Sequence, residues 1–130
     1  MNLFQLGDYT LSSGLKSKWK IECDALTDED IAALATMALE ILPVFSLAVG
    51  VPRGGTRLAN AINELAYPEG QNSRAGPVLI VEDVLTTGRS MENVREICGP
   101  LTHELGAIGL VIFARGKCPD WVTALFQMPG

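Results

Sequence analysis

Residues 78–90 read Val78-Leu79-Ile80-Val81-Glu82-Asp83-Val84-Leu85-Thr86-Thr87-Gly88-Arg89-Ser90. Val78 to Val81 form a short, continuous apolar run, the pattern of a strand buried on both faces. Two carboxylates follow at once. A turn rich in hydroxyls, Thr86 to Ser90, then opens an amphipathic helical pattern. In an open α/β sheet, ligands bind at the carboxyl ends of strands. The free N–H groups and positive dipole end of a helix suit a phosphate. Two acids suit hydroxyl groups or a hydrated magnesium ion. One site offering both points to a phosphorylated sugar.

Working outward, Phe4–Leu11 and Lys18–Cys23 alternate enough to predict an N-terminal hairpin around the polar turn Ser12–Ser17. Thr27 is placed to cap a helix whose first turn is acidic. Ile31, Leu34, Ala35, Ala38 and Leu39 keep helical spacing until Pro43. Ser46–Val51 reads as a strand, and Leu58, Ala59, Ile62 and Leu65 mark a second helix. Met91, Val94, Ile97, Cys98 and Leu101 mark a third, Ile108–Ala114 a buried strand, and Trp121–Met128 a last, partly exposed one. Strands alternating with amphipathic helices predict an α/β fold: a Rossmann-like parallel sheet flanked by helices, with right-handed crossovers and a small N-terminal hairpin as a hood.

The 130 residues, 48% of them hydrophobic, predict a single domain over 1–130 with a core of its own. No apolar run reaches the roughly 18 residues of a membrane span, and residues 1–8 lack the pattern of a secretory signal. Cys23, Cys98 and Cys118 have no metal-ligand spacing and read as reduced thiols, so a cytoplasmic protein is expected. A net charge of −5 without a basic stripe argues against nucleic-acid binding. The single histidine, His103, falls near the end of the third helix, where it suits the dipole better than catalysis.

A second loop, Gly50-Val51-Pro52-Arg53-Gly54-Gly55, also joins a strand to a helix. It has neither dinucleotide nor P-loop spacing. An arginine beside two glycines at the same sheet edge fits a second anion loop. Arg115 ends its strand and reads equally as a surface arginine or a ligand contact. Lys18 and Lys20 alternate onto one strand face expected to be solvated, while Lys16 lies in the turn. Trp19 and Trp121 read as packing residues. A phosphoacceptor receiver domain also carries paired acids, but needs more near an earlier strand, and Ser46–Val51 offers none.

Together these segments resemble the type I phosphoribosyltransferases. Val78–Ser90 resembles their signature for phosphoribosyl diphosphate (PRPP), and Gly50–Gly55 their pyrophosphate loop. Tyr9-Thr10-Leu11-Ser12-Ser13-Gly14 is similar to the N-terminal segment of orotate phosphoribosyltransferases. The resemblance implies transfer of ribose 5-phosphate from PRPP to a nitrogenous base, orotate among the candidates, with release of pyrophosphate in nucleotide metabolism. It implies that Glu82 and Asp83 hold the ribose hydroxyls at the reacting centre. Thr86, Thr87, Gly88, Arg89 and Ser90 would cradle the 5-phosphate, and Val51, Pro52, Arg53 and Gly54 the pyrophosphate. Arg115, Ser12 and Lys16 would face the base. Mg²⁺ would arrive with PRPP, without direct protein ligands, and the assembly would be a homodimer.

The chain departs from that pattern in three places. The connection Tyr67–Pro77 is short and holds one basic residue, Arg74, where the family has a long basic loop. Ser12 and Gly54 stand where the family carries lysines. These departures leave open a second reading: a non-catalytic regulatory module that binds PRPP or a nucleotide.

Overall fold

The computed structural model describes residues 1–11, 13–68 and 76–129. Ser12 and most of the Tyr67–Pro77 connection, Arg74 included, lie outside the described residues.

The hairpin forms as expected, with β1 (Phe4–Thr10) antiparallel to β2 (Lys16–Ile21). Its register shifts between Leu6 and Tyr9, so β1 carries a bulge. Helix α1 (Asp28–Ile41) starts at a complete capping box. The Asp30 amide donates to Thr27 Oγ1 at 3.1 Å, and the Thr27 amide to Asp30 Oδ2 at 2.9 Å. There follow β3 (Ala48–Gly50), α2 (Thr56–Ala66), β4 (Val78–Leu85), α3 (Arg89–Ile97), α4 (Gly99–Leu105), β5 (Ala107–Ala114) and β6 (Val122–Gln127). The last four strands form one parallel sheet in the order β3-β4-β5-β6.

Strand β4 is the spine of the core. Leu79 and Val81 pack on one face with Leu34 and Ala38 of α1 and Leu58 and Ile62 of α2. Val78 and Ile80 pack on the other with Met91 and Val94 of α3. Each of these apolar β4 side chains is fully buried and contributes roughly 1.5–3 kcal/mol.

Three sequence expectations change. The strand does not stop at Val81: β4 continues through both acids, with Val84 and Leu85 pairing to Phe113 and Ala114 of β5. The expected third helix is two helices divided at Cys98, just before Gly99 and Pro100. Proline has no N–H to continue a helical ladder, so it begins α4 instead. The crossovers also cannot both be right-handed. β3 to β4 and β4 to β5 step in the same direction across the sheet, yet α2 and α3 cover opposite faces. The two connections therefore have opposite hands, and one departs from the usual rule.

Candidate functional site

Strand β4 delivers Glu82 and Asp83 half-buried into an open cleft of about 520 Å³ at the carboxyl end of the sheet. The Asp83 amide donates to Glu82 Oε1 at 3.0 Å, and the Val84 amide to Asp83 Oδ1 at 2.7 Å. Successive side chains in a strand point to opposite faces, so the two acids divide the space. Both line the main cleft, and Asp83 also lines a smaller cavity of about 240 Å³ with Cys23, Arg53 and Arg57. Burial, then the adjoining Asp83, pushes the Glu82 carboxyl well above the usual carboxylate range. Burial and the same aspartate push the Cys23 thiol up to about 12, so it stays protonated. Beyond β4 the chain turns through Thr86–Ser90, and all five residues line the cleft. Gly88 has φ +81°, a left-handed conformation suited to glycine, and it stands at the N-cap of α3. Gly88 has no side chain with which to cap the helix. Its first intrahelical bond runs from the Glu92 amide to Gly88 O at 3.1 Å, leaving the Ser90 and Met91 amides ahead of the ladder. The Arg89 amide donates to Thr87 Oγ1 at 3.4 Å. Hydroxyls, unspent amides and a guanidinium thus meet beside the acids.

The Gly50–Gly55 loop forms the adjacent wall. Pro52 and Gly54 line the main cleft and Arg53 the smaller cavity. Val51 is buried, with its amide donating to Val81 O at 2.8 Å, so its side chain belongs to the core. The Pro52–Arg53 peptide is cis. Both glycines sit in close contact, Gly54 with a side chain and Gly55 with backbone. A Cβ on Gly54 would stand 2.0 Å from Asp83 Oδ2, and one on Gly55 would stand 2.0 Å from Val81 O.

The hairpin supplies the opposite wall through Tyr9, Thr10, Leu11, Ser13, Lys20 and Ile21. Lys16 is exposed and does not line the cleft. Arg115 does line it, but its guanidinium is turned onto the hairpin. It lies 3.5 Å from the centre of the Trp19 ring and donates to Trp19 O at 3.1 Å and Ser17 Oγ at 2.7 Å. Trp19 is thus a platform for a cation, as is Trp121, which carries Arg95 at 4.8 Å.

Sequence reading missed Lys20, Tyr9 and Cys23. Lys18 is exposed and pairs with Asp8, as a solvated lysine should. Lys20, expected to share that exposure, is instead half-buried in the cleft wall, 4.9 Å above the Tyr9 ring. Strand alternation could not reveal this, because the bulge in β1 resets what lies across the hairpin. Among the described residues, no helix is long and apolar enough to cross a membrane. Nor is there a cluster of three or more His, Cys, Asp or Glu that could hold a metal ion.

No family model matches the sequence, and no curated protein matches it either. Solved structures do match. An orotate phosphoribosyltransferase from Aeropyrum pernix superposes with a TM-score of 0.77 at 23% identity, over 96% of this chain and 88% of that one. The orotate phosphoribosyltransferase of Francisella tularensis gives 0.64 at 18%, over 96% and 80%. That of Mycobacterium tuberculosis gives 0.66 at 16%, over 96% and 89%. At these identities the likeness is one of fold, and it spans nearly the whole chain, hairpin included: this is a type I phosphoribosyltransferase fold of the orotate phosphoribosyltransferase kind.

Proposed function

We propose that the protein binds PRPP and transfers its ribose 5-phosphate to the nitrogen of a base, releasing pyrophosphate. One observation carries the reading: two acids, an uncapped helix start rich in hydroxyls and a glycine loop surround a single cleft. Asp83 and Glu82 would hold the ribose hydroxyls. The Thr86–Ser90 turn would hold the 5-phosphate, and the Pro52–Gly54 loop the diphosphate. In the reaction the base nitrogen bonds to the anomeric carbon as the bond to the diphosphate oxygen breaks. The pyrophosphate leaves with that electron pair, and the base loses its N–H proton. The chain's part is to hold the two reactants in line and to stabilise charge as it develops.

Mg²⁺ fits as an ion carried in by the diphosphate, where it neutralises charge as a Lewis acid. In this reading Glu82 and Asp83 are left to the ribose hydroxyls. A homodimer in the cytoplasm accompanies this reading, with orotate as the first base to try, given the proteins whose fold it shares.

A second reading, a PRPP- or nucleotide-binding regulatory module without turnover, draws on the loop. Gly54 offers no cation, and Arg115 is spent on the hairpin. Calorimetric titration of PRPP with Mg²⁺, followed by pyrophosphate-release assays over a panel of bases that includes orotate, separates the two. Binding with base-dependent release establishes the transferase. Binding without release for any base establishes the module. Absence of PRPP binding sinks the transferase and the PRPP form of the module.

A further inference from the structure

Three cations line the main cleft among the described residues: Arg89, Arg115 and Lys20. Arg89 stands at the start of α3, at the end of the cleft that suits the 5-phosphate. Arg115 is committed to Trp19 and Ser17. Lys20 differs from both. Among the described residues its Nζ meets only Glu22 Oε2, at 3.3 Å just past the end of β2, and the face of Tyr9 at 4.9 Å. Its side chain is 33% exposed and that of Glu22 27%. Both ends of this pair keep some contact with solvent, so the lysine can exchange Glu22 for a better-placed anion. Tyr9 keeps the ammonium on the cleft side of the hairpin through its ring face.

We propose that Lys20 is the cation by which the hairpin wall holds an anionic group of the substrate pair, giving up Glu22 to do so. The assignment rests on the cleft being the PRPP site. It names a residue that supplies the charge that Gly54 does not. The anion is either the diphosphate of PRPP or an acidic substituent on the acceptor base. In both cases Glu22 acts as an internal competitor, and this gives the two residues opposite effects on affinity.

The test is calorimetry with three probes, PRPP with Mg²⁺, inorganic pyrophosphate with Mg²⁺, and orotate, on wild type, Lys20→Gln, Glu22→Gln and the double variant. Lys20→Gln should weaken its anion roughly tenfold, the loss of one charge-assisted contact. Glu22→Gln should tighten the same probe, and should have no effect once Lys20 is gone. Weakening of PRPP and pyrophosphate identifies the diphosphate as the anion. Weakening confined to orotate identifies the base. A structural role for the pair would weaken binding in both single variants, and that outcome overturns the assignment. So does a wild type that binds PRPP while Lys20→Gln binds all three probes unchanged. A wild type that binds none of the probes removes the functional reading itself, and the assignment with it.

Discussion

The two walls of the cleft are built differently. The acid and phosphate wall grows directly out of the core: Val78 to Val81 are wholly buried, and the acids and the turn follow along the same strand. The hairpin wall is pinned by a few contacts. These include the Arg115 clasp on Ser17 and Trp19 and the edge-to-face packing of Phe4 on Phe113, at 6.0 Å between ring centres. Leu6 on the hairpin is 89% exposed. Packing density fixes one wall, and a handful of side chains holds the other. The strand that leads to the part expected to grip the sugar phosphate is held by the core, whereas the part expected to face the acceptor is held by fewer contacts.

The sharpest way to break this contrast is to remove one apolar side chain from each wall. Ile80→Ala should cost about 2–5 kcal/mol in urea unfolding, whereas Leu6→Ala should stay within about 0.5 kcal/mol. Equal losses would mean that the hairpin is as much a part of the core as β4. Function comes next. Asp83→Asn should weaken PRPP binding by roughly 1–3 kcal/mol, measured by calorimetry, through loss of a charge-assisted hydrogen bond to the ribose. Unchanged affinity would withdraw the diol assignment.

A smaller effect tests the clasp. Arg115→Met should cost about 1–2 kcal/mol globally. In hydrogen exchange it should speed the amides of β1 and β2 well before those of β4 and β5. Uniform acceleration would show that the hairpin does not move separately. The mildest effect concerns pH. The Glu82 pKa is raised in the folded chain. Its contribution to stability is therefore complete below the ordinary glutamate value, about 4.3, and is lost as pH rises through the raised one. The melting temperature of ligand-free wild type, less that of Glu82→Gln, should accordingly fall with rising pH. A difference that stays flat would mean that Glu82 is not perturbed by its burial.

The same division governs what could be read from sequence. Val78–Ser90 was legible because strand, acids, turn and helix start are all encoded locally, as is the capping box of Thr27 and Asp30. The extension of β4 to Leu85 was not, because it depends on Phe113 and Ala114 of a distant strand. Nor were the opposite hands of the crossovers, which follow from the faces that α2 and α3 take. At the hairpin, alternation placed Lys18 correctly in solvent and failed for Lys20 two residues later. It also gave no sign that Arg115 would turn onto residues almost a hundred positions earlier.

Gly54 carries a last consequence. The space where its side chain would begin is already filled by the carboxylate of Asp83. Loop and acid are therefore coupled through one contact: a side chain at residue 54 requires the Asp83 carboxylate to swing aside. Positive charge can be added to the cleft without disturbing that acid from the far side, by changes in the hairpin wall.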